Sequence, residues 1–177
     1  MNNTKTIFKS LLIMIVAISL FTVSCSKDEG GTKTPTTPTI VKVSADNITQ
    51  TLKDLGPLKG TGTGADANTI MVDFSNINPQ NGSADISGAN QSFDKVKTAL
   101  TTVFEAPQTT LAVTHNLSTA TKPKASEALN VELTFKANSG FEFDESITGT
   151  SANAYTYNAS DKTAKLTLKI TPSGNWQ

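Results

Sequence analysis

The chain has 177 residues, with 15 lysines balancing 15 acidic residues, no arginine, one histidine and one cysteine. Such a neutral balance excludes the concentrated basic surface that nucleic-acid binding requires, and the absence of arginine removes planar bidentate recognition of phosphate or carboxylate. One cysteine permits no internal disulfide, and one histidine without a second ligand cannot assemble the usual zinc sites.

The first 25 residues read as an export leader. Lys5 and Lys9 give a basic start, Leu11 to Val23 is an uncharged apolar run of 13 residues, and small Ser24 precedes Cys25, after which the chain turns polar with SKDEGG. This order is that of a cleaved signal. A spanning helix would need about 20 apolar residues, and extending the run back through Ile7 and Phe8 would draw Lys9 into the bilayer. A core helix would carry a polar face, which this segment lacks. The segment resembles the signal of bacterial lipoproteins, in which the cysteine takes a diacylglycerol thioether and becomes the mature N-terminus. Thr22 stands where that family usually carries leucine, three residues before the cysteine. The resemblance implies a signal peptide over 1–24, lipidation of Cys25 with fatty acyl chains such as palmitate, and the membrane as a partner through that lipid. Two or three such chains hold a protein stably, at about 0.8 kcal/mol per buried CH2. The alternative is a free thiol behind an ordinary cleavage site, but a lone unpaired cysteine in an exported protein asks for a reason.

Removing 1–24 leaves 153 residues, a single domain's worth, with 13 lysines against 15 acidic residues and a charge near −2. Residues 25–39 form the lipidated cysteine and a polar tether. Gly30-Gly31, Pro35 and Pro38 lie in it with too few apolar groups to fold, and fully extended it reaches about 40 Å at about 3.1 Å per residue. Ser26-Lys27-Asp28-Glu29 resembles the acidic stretch that directs lipoproteins of Bacteroidetes-type bacteria to the cell surface. That likeness implies an outer-membrane, outward-facing location; a plain solvated linker is the other reading.

The folded domain is expected over 40–177. Thr39 to Val43 is a short strand candidate. Ser44 N-caps a helix with Ile48, Leu52 and Leu55 on one face, ending at Gly56-Pro57. Gly60, Gly62 and Gly64 make a loop, which is no dinucleotide fingerprint because it follows a helix and leads into a strand. Thr69 to Phe74 alternates as a strand with Ile70, Val72 and Phe74 on one side. Asn76 to Asn90 reads as a long loop. Ser92 caps a second helix with Phe93, Val96, Leu100 and Val103 at helical spacing, stopped by Pro107. From there the pattern is β: Thr110 to Leu117, Leu129 to Lys136, and a hairpin of Ala154 to Tyr157 with Thr163 to Thr171 around Asn158 to Asp161. In the last strand Ala164, Leu166, Leu168 and Ile170 alternate with Lys165, Thr167, Lys169 and Thr171, one face buried and one wet. The predicted class is α+β, two helices on an antiparallel sheet with an all-β C-terminal half; an immunoglobulin-like β-sandwich is the alternative.

Residues 133–170, LTFKANSGFEFDES through YTYNASDKTAKLTLKI, resemble β-modules repeated in bacterial surface proteins, where a glycine turn, an aromatic pair and a Lys/Thr-alternating strand close the sheet. Gly140 allows that turn, and Phe141 and Phe143 point together toward the core. Residues 92–171 also resemble the helix-then-strands domain of variable surface lipoproteins. Neither family supplies functional residues.

Candidate chemistry is sparse. His115 shares a strand face with Leu111, Val113 and Leu117, the position of a packed, hydrogen-bonding histidine. No G-x-S-x-G elbow occurs. Glu142 and Asp144 share a face about 6.6 Å apart, a separation a glycosidase pair can use, although alternation with Phe141 and Phe143 is also what a half-exposed strand shows. Asp73, Asn76, Asn78, Asn81 and Asp85 crowd loop 73–85 with oxygen ligands, yet they miss the EF-hand spacing, and Asn and Asp favour turns in any case. Tyr155 and Tyr157 on one strand face are candidates for ligand binding as a sugar-stacking platform; cross-strand packing is the alternative. Trp176, one residue from the end, is expected to fray. No cofactor or metal is implied. The sequence thus predicts a lipid-anchored envelope protein, a non-catalytic binding or structural module with a host or envelope protein or polysaccharide as partner. The alternative is a glycan hydrolase using Glu142 and Asp144.

Overall fold

The structure, a computed structural model, describes residues 38–80, 82–89, 92–149 and 155–177. The signal peptide, Cys25 and the tether as far as residue 37 lie outside the described residues, as do Asn81, Asn90 and Ala154. In chain order the elements are β1 (Val41–Val43), α1 (Ala45–Lys53), β2 (Pro57–Lys59), β3 (Ile70–Asp73), β4 (Ser83–Ala89), α2 (Phe93–Phe104), β5 (Leu111–His115), β6 (Leu129–Ala137), β7 (Phe141–Phe143), α3 (Glu145–Thr148), β8 (Thr156–Asn158) and β9 (Thr163–Pro172). Single 3-10 turns lie at Ala65–Asn68 and Leu117–Thr119.

The strictest alternation in the sequence builds the frame. Antiparallel pairing of β6 with β9 runs from Leu129 opposite Ile170 to Lys136 opposite Thr163. It lays Leu129, Val131, Leu133 and Phe135 beside Ala164, Leu166, Leu168 and Ile170 on one face, all of them buried. Each such side chain gains about 1.5–3 kcal/mol on leaving water, while Asn130, Glu132, Lys165 and Lys169 stay exposed on the other face. β5 extends the sheet antiparallel to β6, with Leu111 opposite Ala137 and His115 opposite Leu133. Along the far edge of β9, β8 pairs antiparallel near its start and β4 pairs parallel further on. The order is β4-β9-β6-β5, with β8 on the β4 side.

Helices cover the inner face of this sheet. Ser44 caps α1 with a capping box: its hydroxyl accepts from the Asn47 N–H, and the Asn47 side chain accepts from the Ser44 N–H. Ile48 and Leu52 of α1 and Phe104 of α2 share one buried cluster with Leu111 and Phe135 of the sheet, with Val113 packed against it. Val96 and Leu100 complete the buried face of α2, which ends at Phe104 before Pro107. Helix on sheet is therefore the architecture, an α+β fold. The β-sandwich alternative fails because the inner face meets helices rather than a second sheet.

Four expectations need correction. Residues 76–90 are not one long loop, because Ser83–Ala89 is a strand. It forms where the edge of β9 offers unpaired backbone groups, which must find partners whatever the side chains on the incoming strand. The expected antiparallel pairing holds for β5, β6, β8 and β9, and β4 adds to that sheet in parallel; β1 and β7 pair in parallel as a separate two-stranded sheet. Two helices become three, because Asp144 caps the short α3. Ile70 does not join Val72 and Phe74 inside; it is 45 % exposed, opposite Lys59 and beyond a register shift, and Met71 is buried instead.

The C-terminus is tied down rather than frayed. Trp176 is only 7 % exposed. Its indole N–H donates to the Glu127 carbonyl at 2.8 Å, and its ring meets Phe93 edge-on at 6.0 Å. A buried aromatic with a satisfied N–H overrides the tendency of terminal residues to be loose.

Leu168 is fully buried at the centre of β9. Leu168→Ala is expected to cost about 2–5 kcal/mol, read as a lower urea midpoint with an unchanged slope of the unfolding transition.

Candidate functional site

The segment between β3 and β4 is shaped by two buried anchors. Phe74 and Ile77 are buried, so the chain must run close to the core at both points, leaving Asn76 and Asn78 exposed on either side of Ile77. Gln80 and Ser83 then exchange backbone hydrogen bonds of 2.7 and 2.9 Å, closing a turn that places Gly82 at φ 74°, a conformation glycine adopts without penalty. Beyond the turn, alternation along β4 sends Ala84 and Ile86 inward, so that Asp85 faces out. The parallel register sets Asp85 directly opposite Lys169 of β9.

Together these residues line an open concavity of about 520 Å³: Asn76, Asn78, Gln80, Ser83, Asp85 and Lys169. Its lining is amide, hydroxyl, one carboxylate and one ammonium, with no aromatic ring. The carboxylate and the ammonium carry no ion pair or hydrogen bond to any described residue, nor do the side chains of Asn76, Asn78 and Gln80. Elsewhere the sheet's outer face shows the opposite state, for Lys165 reaches Glu132 at 2.9 Å. The concavity gathers polar side chains that have no partner among the described residues. Asn76, Asn78 and Asp85 were candidates as oxygen ligands within the sequence. Gln80, Ser83 and Lys169 were not, and only the wet position of Lys169 on a strictly alternating strand gave a signal.

Of the candidate oxygen ligands in loop 73–85, Asn76, Asn78 and Asp85 share the concavity, Asp73 is engaged elsewhere, and Asn81 lies outside the described residues. Asp73 accepts the Ser75 N–H at 2.9 Å, closing a turn, and that hydrogen bond, with one from the Ser75 side chain, holds its carboxyl below the usual value. Asp85 instead faces Lys169, whose ammonium opposes a cation. Among the described residues no three His, Cys, Asp or Glu side chains group as metal ligands.

The tyrosine platform is absent. Tyr155 is 4 % exposed, meets Phe135 edge-on at 6.1 Å, and its hydroxyl shares a 2.8 Å hydrogen bond with Thr49. Tyr157 is half-buried with its ring against Phe143 at 6.0 Å. Both rings are packed rather than presented: Tyr155, just before β8, lies against Phe135 of β6, and Tyr157 of β8 lies against Phe143 of β7.

Glu142 and Asp144 are not aimed at a common substrate position. Glu142 forms an ion pair with Lys42 across the parallel β1-β7 pairing. Asp144 caps α3, accepting from the Ser146 N–H at 2.8 Å and from its hydroxyl at 2.5 Å. His115 accepts the Leu117 N–H on Nδ1 at 3.2 Å, lies 3.5 Å from the Glu105 carboxylate through Nε2, and packs beside Phe104. This arrangement fixes the tautomer with the hydrogen on Nε2, and His115 is a structural residue at the end of β5.

No family model, no curated protein and no solved structure matches this chain. Among the described residues no helix is long and apolar enough to cross a membrane.

Burial pushes the Tyr155 phenol up to about 12, against a smaller downward pull from the Thr49 hydrogen bond, with Asp46 adding a further upward push. The folded state therefore holds this proton more tightly than the unfolded chain, whose tyrosines ionise near 10. The corresponding stability is complete below about pH 10 and falls as pH rises toward 12. Denaturant midpoints measured across that interval should drop for the native sequence, and the drop should shrink in Tyr155→Phe. At neutral pH the same substitution should cost about 1 kcal/mol for the lost hydrogen bond.

Proposed function

We propose that this chain is a lipid-anchored protein of the bacterial cell envelope, held at the outer membrane and facing outward, whose folded domain is a non-catalytic binding or structural module. The anchor reading rests on the leader, on Cys25 at its end and on the polar tether of 25–39. The partner is a host or envelope protein or a polysaccharide, reached by a domain that follows the polar tether.

One contrast carries the binding reading. The side chains best suited to catalysis are already engaged, Glu142 with Lys42, Asp144 in a helix cap and His115 in the sheet's inner layer. The unmatched polar groups instead gather in the concavity beside β4 and β9. A hydrolase needs a carboxylate with a shifted proton affinity in a cleft, whereas both members of the 142/144 pair have local structural partners.

Two measurements check this. Full-length Cys25→Ser, expressed in a bacterium with lipoprotein processing, should move from the membrane pellet to the aqueous phase of a detergent partition; retention with the membranes would remove the lipid anchor from the account. The double variant Glu142→Ala/Asp144→Ala should leave any association with cells or polysaccharides unchanged. Appearance of shortened glycans with the native chain, abolished in that variant, would make the domain an enzyme.

A further inference from the structure

We infer that the concavity of Asn76, Asn78, Gln80, Ser83, Asp85 and Lys169 is a binding site for a neutral, hydroxyl-rich saccharide. The inference deepens the binding-module reading and rests on it.

Size comes first. At about 520 Å³ the concavity lies within the range of ligand sites, about 300–1,000 Å³, and is open enough to admit one or two sugar rings from a longer chain. Its chemistry then narrows the occupant. Asp85 can only accept and Lys169 can only donate, while Asn76, Asn78 and Gln80 each do both. A ligand matching that set must itself offer donors and acceptors side by side, which is what vicinal hydroxyls provide.

The competing occupants fit less well. One carboxylate opposite one ammonium makes the lining neutral. A phosphate would meet Asp85, a divalent cation would meet Lys169, and neither charge is offset by a second group of the right sign. A lipid or an apolar peptide would find a lining that is overwhelmingly polar. Stacking on an aromatic ring is not offered either, so orientation must come from hydrogen bonds alone, and moderate affinity follows because each such bond replaces one to water.

The site is also preorganised where it matters. Phe74 and Ile77 fix the loop from beneath, and the reciprocal Gln80–Ser83 hydrogen bonds hold its end against the sheet. Asp85 and Lys169 project from paired strands, so their separation is set by register. Holding binding groups on rigid elements reduces the ordering cost of association.

The test is amide chemical-shift mapping on the full chain in detergent micelles. The probes are linear neutral hexasaccharides of glucose, mannose and galactose, sodium phosphate, calcium chloride, and a short acidic and a short basic peptide. The expected result is saturable shifts from at least one hexasaccharide, centred on residues 74–80, β4 and the second half of β9. Asp85→Asn and Lys169→Met should each weaken that binding about tenfold, as loss of a charge-assisted hydrogen bond does. Lys165→Met and Glu132→Gln, on the same face outside the concavity, should leave it unchanged, and their intact spectra certify folding. No saccharide shift, shifts lying elsewhere, or stronger binding of phosphate, calcium or either peptide at the concavity would overturn the inference. Those outcomes leave the anchored-module reading standing, whereas saccharide cleavage during the titration would overturn that reading and leave the site in place.

Discussion

The pairing of β6 with β9 is the constraint from which the rest of the domain follows. Eight residues on each strand are in register, and on one face every one of the apolar side chains among them is buried. Slipping that register by one residue would turn Leu133 and Leu166 to water and Lys165 and Glu132 to the core, so the register is tightly specified. Once it is set, the inner face must be covered, and the amphipathic stripes of α1 and α2 are what the chain has to cover it with. The outer face is left as a wet surface of lysine, threonine, glutamate and asparagine. Each later feature attaches to an edge or a face of this pair: β5 beyond β6, β8 and β4 along β9, and the concavity where β4 meets the outer face.

A second constraint governs how the first strand of the domain is held. β1 is three residues long and could not stand alone, yet it is held at several points. Its Val41 N–H donates to the Gly140 carbonyl at 2.9 Å, and its Val43 carbonyl accepts the Asp144 N–H at 3.0 Å. Two residues on, Ala45 donates its N–H to the Ser146 hydroxyl at 2.8 Å, across 101 positions of sequence. Ser146 is in turn held by Asp144, so a carboxylate with the spacing of a catalytic partner serves to fasten the first strand to the C-terminal half. Polar groups near a chain's entry point are more useful satisfied than reactive, since an unsatisfied partner at a strand junction would cost about 1–3 kcal/mol.

The same division explains why the aromatic and acidic candidates lead inward and the amides lead outward. Tyrosine on a short strand beside a core has a large apolar ring to bury and one hydroxyl to satisfy, and Thr49 satisfies that of Tyr155. Asparagine and glutamine in a loop pinned by Phe74 and Ile77 have no such apolar body, so they remain at the surface with their hydrogen-bonding groups unengaged. A concavity without rings follows from this arrangement, lined by amides, a hydroxyl and the neutral sum of one carboxylate and one ammonium.

What the sequence by itself determined was everything carried by local period and local capping. The alternation in β6 and β9, the Ser44 cap with its helix stripe, the β8-β9 hairpin and the turn at Gly140 were all legible, because side-chain direction repeats every two or 3.6 residues. What only the tertiary structure decided was everything that depended on a distant partner. β4 turns Ala84 and Ile86 inward, and it is a strand because β9 had an edge to fill. Trp176 is ordered because Glu127 and Phe93 wait for it, and Asp85 meets Lys169 only through a parallel register spanning most of the domain. Backbone hydrogen-bonding groups must be matched somewhere in the fold, and no local pattern states where the match will come from.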